Sequence, residues 1–365
     1  MNKHKYVALD VDSANIVAGV YDDKGESIMQ CHIRTNSSDI QEFFRGLSGT
    51  VHVTFEEGTQ AAWLYDLIRP LVAEVIVCNP RHNKLIQAGN KSDKIDVDKM
   101  GKLLRLGELR AVYHGEKTIQ GLKHLDHGYQ NLVEATTRAK NRLKSLFRYG
   151  GIDCRGRGVY DYATRKDWLK KLEIEGLEAR AIYLYEEINF LTALREKAEK
   201  ALCREARKHS AYKLIIQLPG LGPIRTAQII SAVGSPHRFR TKRQFWPYCG
   251  LAVVTHTSAD YEWVDGRARR RKKRVQTRGL NKNHNRRLKA VMKGAALTAV
   301  HKDEDFKQYY QGLLDKGMRE EMALLTVSRK IAAITLAVWK KGEAFDPKRL
   351  NQAAKHRQPS ELELA

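Results

Sequence analysis

The sequence predicts an α/β domain followed by a longer, mainly α-helical region. Up to about residue 115, short apolar runs alternate with turn residues and helical patterns, which is typical of a sheet covered by helices. From about residue 117, apolar residues recur every three or four positions, as in amphipathic helices. A chain of 365 residues is long enough for two or three domains. We therefore predict domains at residues 1–115, 116–210 and 211–345, and a loosely ordered tail at 346–365.

The first domain has the element order of the ribonuclease H fold. Three strands predict an antiparallel meander, at residues 6–10, 15–21 and 27–33. A helix, a strand, a second helix and a further strand follow, at residues 39–47, 51–55, 60–69 and 74–78. In that fold the first strand and a later strand end side by side, and a following helix supplies the last carboxylates. The order therefore predicts where an acidic site would form.

Four carboxylates stand at those places in the sequence. Asp10 and Glu56 each end an apolar strand, while Asp93 and Asp96 lie three residues apart in the first turn of a predicted helix. Residues three apart share a helix face, so both aspartates can point into one site. Oxygen ligands of this kind suit Mg²⁺, and two such ions can stabilise the attacking and leaving oxygens of a phosphoryl displacement. The acids therefore predict a divalent-metal centre for phosphodiester chemistry.

Two questions about these acids stay open at the level of sequence. Ser and Asp also favour helix starts, so the two aspartates could be capping residues alone. Neighbouring residues of a strand point to opposite faces, so only one of Glu56 and Glu57 can face the site. Asp12 and Asp98 are further near neighbours that could take the place of a ligand.

The composition points to a polyanionic partner. The net charge is +23 and the pI is about 9.8, and a field of that size attracts nucleic acid. No run approaches the roughly 18 apolar residues of a transmembrane helix, and the N-terminus lacks the apolar stretch of a signal peptide. The five cysteines are scattered without a CxxC pair, which predicts neither a disulfide framework nor a zinc site. We expect a soluble cytoplasmic protein without a membrane segment.

The second domain is predicted to be a helical arm. Two long stretches between residues 117 and 207 place apolar residues on a narrow stripe, with a break at Tyr149-Gly150-Gly151-Ile152. Such stretches form an antiparallel helix pair or a coiled coil. The stripe is compatible both with packing inside the domain and with a contact between molecules, so both interpretations stay open.

The third domain carries a glycine hairpin and an excess of positive charge. Leu218-Pro219-Gly220-Leu221-Gly222 predicts a helix-hairpin-helix element, whose amides at Gly220 and Gly222 could hold a backbone phosphate beside Arg225. The alternative is an ordinary helix–helix turn. Charge runs are commonly solvated loops. The basic residues that we nevertheless predict to bind nucleic acid are Arg238, Arg240, Lys242, Arg243, Arg269, Arg270, Arg271, Lys272, Lys273, Arg274, Arg286 and Arg287.

An isolated serine precedes the most basic run in the chain. Ser258 is the only serine between Ser235 and Ser328. A serine in an arginine-rich field could attack a phosphodiester while guanidinium groups stabilise the charge of the transition state. Such a serine needs an activating partner, which the sequence does not identify, and Thr255 and Thr257 are alternative nucleophiles.

Taken in order, these segments resemble the transposases of the insertion sequence 110 family over nearly the whole chain. The resemblance is carried by the strand ending at Asp10, Phe55-Glu56-Glu57-Gly58, Asn90-Lys91-Ser92-Asp93-Lys94-Ile95-Asp96, Leu218-Pro219-Gly220-Leu221-Gly222, Arg238-Phe239 with Tyr248-Cys249-Gly250-Leu251, and Leu288-Lys289. No single segment is decisive, whereas their order and spacing together are specific. Many members have a glycine directly after the serine, where this chain has Ala259-Asp260.

The resemblance implies a RuvC-like N-terminal domain with an Asp-Glu-Asp-Asp metal site, a coiled-coil arm and a C-terminal transposase domain with an essential serine. By position, the acids fall on Asp10, Glu56, Asp93 and Asp96, which would bind Mg²⁺ or Mn²⁺, and the serine falls on Ser258. Family members are recombinases guided by a structured non-coding bridge RNA that pairs with donor and target DNA.

The resemblance also implies an assembly. Dimers join into a homotetramer, and the acids of one protomer meet the serine of another. That serine forms a covalent 5′-phosphoserine intermediate with the DNA. We expect the same partners for this chain, at the nucleoid of the cytoplasm.

Two other functions stay open. A RuvC-like junction resolvase or nuclease would use the four acids with water as the nucleophile, without Ser258. A non-catalytic nucleic-acid-binding protein would use only the basic surface and the hairpin, with the acids as helix caps. Dependence on a metal would separate the recombinase and the resolvase from the non-catalytic binding protein. A covalent protein–DNA adduct would separate the recombinase from the resolvase.

Overall fold

The computed structural model describes residues 3–79, 92–114, 117–257, 261–264, 266–270 and 276–347. The chain forms two compact units, Met1–His114 and Gly115–Ala365. The first unit is the predicted α/β part of the chain. Residues 116–210 and 211–345, predicted as separate domains, both fall within the second unit.

Five strands form the sheet of the first unit. They are β1 (His4–Val11), β2 (Asn15–Tyr21), β3 (Ser27–Arg34), β4 (Thr50–Glu56) and β5 (Glu74–Cys78). Their spatial order is β3-β2-β1-β4-β5. Strands β1, β2 and β3 pair antiparallel, whereas β1 pairs with β4 and β4 with β5 in parallel. The predicted meander followed by parallel strands is therefore confirmed.

Two helices cover one face of this sheet. α1 (Ser37–Arg45) and α2 (Ala61–Ile68) pack on odd-numbered residues of the two central strands, among them Leu9 of β1 and Phe55 of β4. A strand points successive side chains to opposite faces. The even-numbered residues of β1 and β4 therefore face the other side.

A third helix covers that opposite side. α3 (Asp93–Leu106) places Val97 and Met100 in a core cluster with Ala8 of β1 and Val17 of β2. The cluster is separate from the one under α1 and α2. The central strand β1 is thus packed in apolar residues on both faces, whereas the corresponding face of β4 carries His52, Thr54 and Glu56.

Gly101 sets how closely α3 approaches the sheet. A Cβ at this position would overlap the ring of Tyr21, which is fully buried beneath the helix. Packed interiors have no spare volume for such an overlap, so any larger residue must push the helix or the ring away. The glycine therefore fixes the height of the helix that carries Asp93 and Asp96.

The second unit is built mainly of helices. They are α4 (Lys117–Tyr149), α5 (Arg165–Leu169), α6 (Glu175–Ala206), α7 (Ala211–Ile215), α8 (Pro223–Val233), α9 (Lys242–Tyr248), α10 (Arg286–Lys302), α11 (Glu304–Leu314) and α12 (Glu320–Lys341). The main core cluster of this unit draws residues from α4, α6 and every later helix. The prediction of a mainly helical second half is confirmed.

The two long helices, α4 and α6, form an antiparallel pair. Leu143, near the end of α4, shares a core cluster with Leu184, near the start of α6. Leu122, near the start of α4, shares a different cluster with Leu202, near the end of α6. At 1.5 Å per residue each helix is about 50 Å long. The predicted antiparallel arm is present, and its supercoiling stays a prediction.

Four short strands in the described part of the second unit were not predicted. β6 (Val253–Thr257) pairs antiparallel with β9 (Gln276–Leu280), and β7 (Tyr261–Val264) pairs antiparallel with β8 (Arg267–Arg270). An arginine-rich run lacks the apolar alternation of a typical strand and suggests a solvated loop instead. The Asp-Gly dipeptide at 265–266 is a sequence signal for a two-residue hairpin between the two strands.

Among the described residues, α12 is the one helix long and apolar enough to cross a membrane by length and composition. Its Val327, Ile331 and Leu336 are buried in the main core of the second unit, together with residues of α8 and α10. A helix that is apolar around most of its surface is typical of a core position as well as of a membrane. The packing of α12 against other helices of the second unit accounts for its apolar composition.

A buried carboxyl group joins α4 to α8. Asp126 of α4 is 5% exposed, and its Oδ2 accepts a hydrogen bond from the Ser231 hydroxyl of α8 at 3.1 Å. Its Oδ1 is buried without a hydrogen-bond partner in the described part of the chain. Burial raises the pKa of Asp126, and the Ser231 hydrogen bond and the Arg287 charge oppose that rise. The ionised form is therefore costly in the folded state.

We expect Gly101→Ala to destabilise the first unit and to lower activity. The added methyl group meets the Tyr21 ring, and overpacking of a core costs about 1–3 kcal/mol. Urea-induced unfolding of the full chain measures the loss. Gly128→Ala is the matched control, because a Cβ there meets nothing within 4 Å and alanine favours a helix by about 1 kcal/mol. Equal stability of the two variants would contradict the packing role of Gly101.

Asp126→Asn is expected to stabilise the second unit at neutral pH. Because the pKa of Asp126 is higher in the folded than in the unfolded state, the free energy of unfolding falls as the pH rises from the unfolded-state pKa through the folded-state pKa. Asparagine does not ionise, so the variant avoids this loss. The unfolding temperature should increase by about 2 °C at pH 7, equivalent to roughly 1 kcal/mol in a chain of this size. The gain should shrink toward about pH 4, the ordinary pKa of aspartate. A lower unfolding temperature at pH 7 would instead show that the carboxylate stabilises the fold.

Candidate metal centre and nucleic-acid interface

Asp10 and Glu56 lie side by side at the carboxyl edge of the first unit's sheet. The parallel ladder of β1 and β4 pairs Leu9 with Phe55, so the two acids are the next residues on adjacent strands. Adjacent strands are about 4.8 Å apart, which brings both carboxylates within reach of one ion. Both residues are half-buried. The parallel pairing of β1 and β4 thus places two of the predicted metal ligands next to each other.

The alternation of β4 distinguishes Glu56 from Glu57. Phe55 is buried against α1 and α2, so Glu56 has the opposite parity and shares with Asp10 the face covered by α3. Glu57 follows the end of β4, and its Oε2 is 2.9 Å from Nε2 of His114. The geometry favours Glu56 over Glu57 as the partner of Asp10.

α3 begins on the same face with the other two predicted ligands. Its cap is Ser92, whose hydroxyl accepts a hydrogen bond from the Ile95 N–H at 3.3 Å. Asp96 precedes Val97, which packs on the sheet, and its Oδ1 is buried without a hydrogen-bond partner among the described residues. A buried carboxylate oxygen without a partner is costly unless it binds a proton or a cation. The side chain of Asp93 lies outside the described part of the structure.

The donor set fits a hard divalent cation. Asp10, Glu56 and Asp96 supply oxygen ligands only, which Mg²⁺ and Mn²⁺ prefer, and the unpartnered oxygen of Asp96 is the atom that most needs such a ligand. Among the side chains that the structure describes, no group of three or more His, Cys, Asp or Glu is close enough to hold a metal ion. The side chains of Asp10, Glu56 and Asp96 are all described, so the structure does not bring these three together as one ligand group, and the side chain of Asp93 is outside the described part.

The near neighbours that could replace these ligands have other contacts. Asp98 forms an ion pair of 2.8 Å with Lys102, one turn further along α3. Asp12 lies beyond β1 in the turn to β2, where its N–H donates to the Asn15 carbonyl at 3.1 Å. That hydrogen bond does not engage the carboxylate of Asp12, which lines the same cavity as Glu56. Asp12 therefore stays an alternative ligand, whereas Asp98 is paired with Lys102.

His114 is a residue near the acidic edge that no sequence pattern predicted. Its side chain is 7% exposed, contacts Glu57 and stacks on the ring of Tyr65 at 4.9 Å between centroids. The chain reaches this place because the Val112 N–H donates to the Val77 carbonyl of β5 at 2.7 Å. Because His114 is brought to Glu57 by contacts between segments far apart in the chain, no short sequence motif could have identified it.

The glycine hairpin joins α7 to α8 and rests on α10. Gly220 has a φ of 80°, and a Cβ there would overlap the Ala295 carbonyl of α10. Arg225 donates to the Gly220 carbonyl at 2.7 Å and to the Thr298 hydroxyl at 2.9 Å, and burial lowers its pKa. These contacts give Arg225 a structural role, because they hold the hairpin on α10. Gly222, at the start of α8, is exposed.

Arg238 also has internal partners. Its guanidinium donates to the Val233 carbonyl at 2.8 Å and lies 5.1 Å from the centroid of the Tyr248 ring. The Lys340 ammonium of α12 donates to the Arg240 carbonyl at 3.2 Å, which attaches the neighbouring turn to the end of that helix. These contacts hold the turn around Arg238 and Arg240 in place within the protein, and Arg238 contributes to them.

The remaining described members of the predicted basic set lie at the surface. Arg240, Lys242, Arg243, Arg269, Arg270 and Arg286 are exposed, and Arg287 is half-buried. Arg286 and Arg287 form the first turn of α10, where the helix dipole adds positive potential. Together with Arg225 and Gln228 they line an open cleft of about 390 Å³. This surface can attract the phosphates of a nucleic acid.

Ser258 lies outside the described residues, as do Arg271, Lys272, Lys273 and Arg274. The strand β6 ends at Thr257, directly before the serine. Both threonines considered as alternative nucleophiles belong to the β6–β9 ladder, where Thr255 pairs with Arg278 and Thr257 with Gln276. The segment that follows β6 therefore starts from a paired strand.

Two family profiles match the chain. A profile described as a DEDD transposase of the IS110 type matches residues 7–149, a range that includes the four acids. A profile described as the transposase IS116/IS110/IS902 family matches residues 212–311, a range that includes the hairpin, Ser258 and the basic segments.

Two similar proteins have names that agree with these profiles. A probable family 20 transposase from Pseudomonas aeruginosa is 22% identical over 329 residues, which are 89% of this chain and 94% of that protein. The transposase for insertion sequence element IS1111A from Coxiella burnetii is 22% identical over 196 residues, 53% of this chain and 54% of that protein. The first profile covers the acids, and the second covers the hairpin and the basic segments. The chain belongs to the IS110 family of insertion-sequence transposases.

Proposed function

We propose that this transposase cuts and rejoins DNA with a divalent-metal centre and a serine nucleophile. One observation carries the proposal: Asp10 and Glu56 end adjacent parallel strands on the face of α3, the helix that bears the unpartnered carboxylate oxygen of Asp96. The Oδ1 of Asp96 is buried without a hydrogen-bond partner among the described residues, and such an oxygen raises the energy of the folded protein unless a proton or a cation binds it. A cation bound there would lie on the same face of the sheet as Asp10 and Glu56.

The metal ligands would be Asp10, Glu56, Asp93 and Asp96. Mg²⁺ or Mn²⁺ at this edge would supply Lewis-acid stabilisation of charge on the phosphodiester oxygens. The protein's part is to hold the donors in a fixed place. The two central strands do so through their paired backbones, and α3 does so through its close packing at Gly101.

Ser258 would attack the scissile phosphorus. The Oγ–P bond forms and the P–O3′ bond breaks, so the 3′ oxygen leaves and takes up a proton while the serine proton passes to a base. The product is a 5′-phosphoserine, in which the phosphate is still an ester. Attack by another 3′-hydroxyl then breaks the Oγ–P bond, releases the serine and joins the new strand. Arg269, exposed on β8 in the same segment, is suited to stabilise the transition-state charge.

We further propose that a bridge RNA guides the reaction and that dimers assemble into tetramers. The net charge of +23 and the exposed basic residues of the second unit support binding to more than one nucleic acid. The acids belong to the first compact unit and Ser258 to the second. The proposal of a shared site, in which the acids of one protomer act with the serine of another, rests on the resemblance to the IS110 family.

Glu56→Gln is expected to remove the response of the protein to metal. Ligand binding to the folded state raises the unfolding temperature, so wild type should show a gain with Mn²⁺ that the variant largely loses. Strand transfer should fall by at least about 100-fold. Glu57→Gln is the matched control: it disrupts the contact with His114 and should keep the metal response and activity. The reverse pattern would assign the ligand to Glu57.

Ser258→Ala should abolish a covalent protein–DNA adduct. The protein is mixed with Mg²⁺, RNA from the end of its element and labelled donor and target DNA, then quenched in detergent and run on a denaturing gel. We expect a shifted protein–DNA band with wild type and Thr257→Val, and none with Ser258→Ala or Asp10→Ala. Omission of the RNA should also remove the band.

Three other results of this gel would change the proposal. Nicked DNA without an adduct, made equally well by Ser258→Ala, would indicate a junction resolvase that uses water as the nucleophile. An adduct lost in Thr257→Val and kept in Ser258→Ala would move the nucleophile to Thr257. An adduct that forms without RNA would remove the guide from the mechanism.

A further inference from the structure

Strands β7 and β8 form an exposed two-stranded ribbon in the second unit. Their antiparallel ladder pairs Tyr261 with Arg270 and Trp263 with Ala268. Directly opposed residues of such a pair have their side chains on the same side. Tyr261, Trp263, Ala268 and Arg270 therefore share one side of the ribbon, which we call the aromatic face.

The two rings of the aromatic face are open to solvent. Trp263 is 76% exposed and Tyr261 is 58% exposed. Ala268, opposite Trp263, is too small to cover an indole ring. The two aromatic residues stand two positions apart on β7, about 6.8 Å between their Cα atoms, which is twice the roughly 3.4 Å spacing of stacked bases. Neighbouring large apolar side chains on a surface commonly mark a binding site.

Arginines accompany these rings. Arg270 lies on the aromatic face, and Arg267 and Arg269 lie on the other side of β8, all three exposed. Guanidinium groups bind phosphate oxygens and also stack on planar rings. A partner that offers both negative charge and flat apolar rings matches this combination, and a nucleic-acid strand offers both in every nucleotide.

We propose that the aromatic face binds unpaired nucleotides, with bases stacked on Trp263 and Tyr261 and phosphates bound by Arg270. Bases inside a duplex are already stacked on each other, so this surface favours single strands or nucleotides turned out of a helix. Single-stranded DNA and RNA share the required chemistry. The inference goes beyond the proposed serine reaction, because stacking does not need Ser258.

Fluorescence anisotropy of the full chain tests the proposal with three labelled probes of about 20 nucleotides, namely single-stranded DNA, RNA of the same sequence and duplex DNA. We expect Trp263→Ala to weaken binding of a single-stranded probe by about tenfold, with less than about a twofold change for the duplex. Trp263→Phe should restore most of the affinity, because it keeps a π face. Tyr183→Ala removes an exposed ring from α6 and should change no probe.

The salt dependence separates stacking from charge. Arg270→Ala should reduce the slope of log affinity against log salt, because a phosphate contact is lost, whereas Trp263→Ala should leave the slope unchanged. Loss on the DNA strand, the RNA strand or both supports the proposal and identifies which strand the ribbon holds. Unchanged affinity of Trp263→Ala, or equal losses on single-stranded and duplex probes, would overturn it.

Two controls keep this result independent of folding and of catalysis. Trp263 is largely exposed, so the unfolding temperature of Trp263→Ala should equal that of wild type. Ser258→Ala should bind all three probes like wild type. Loss of base stacking at the ribbon would therefore lower the affinity for the probes, whereas loss of the serine nucleophile would remove the adduct and leave the affinity unchanged.

Discussion

The parallel hydrogen bonds between β1 and β4 are the interaction on which the proposed metal centre depends. They set Leu9 beside Phe55, so the acids that follow share one edge and one face of the sheet. A shift of one residue in this register would turn Glu56 toward α1 and α2 and bring Glu57 to the face of Asp10. Neighbouring carboxylates repel each other, and the sheet holds them because β1 is packed in apolar cores on both faces and β4 in the core under α1 and α2. The cores thus stabilise an arrangement that the charges alone would disfavour.

Much of the first unit was predictable because its signals are local. Apolar runs, turn residues and strand-terminal acids each occupy a few consecutive positions, and these were sufficient for the strand order and for the four candidate ligands. Contacts between distant segments were not predictable. His114 reaches Glu57 across 57 positions, and Gly101 sets the height of α3 through the ring of Tyr21. The choice between Glu56 and Glu57 also required the register, since the parity of a strand residue has meaning only relative to the neighbouring strands.

In the second unit, residue type alone did not show which of the predicted nucleic-acid-binding arginines also have partners inside the fold. Arg225 and Arg238 donate to backbone carbonyls inside the fold, whereas Arg286 is exposed at the start of α10. A guanidinium has five donors that suit a carbonyl as well as a phosphate, and only the fold decides which it meets. The four strands around the serine were missed for a related reason. Charge dominates β8, and the other three strands have only four or five residues each, so the alternation of Tyr261 and Trp263 is too short to show a strand period.

The ladder of β6 and β9 has a consequence for how this family can change. It pairs Thr257 with Gln276, so the segment between them leaves the helical core and returns to it at one point. A segment with adjacent ends can be lengthened, shortened or exchanged at small entropic cost, because the rest of the chain does not have to move. The length and sequence of the segment that carries the ribbon can therefore vary while the helices of the second unit keep their packing.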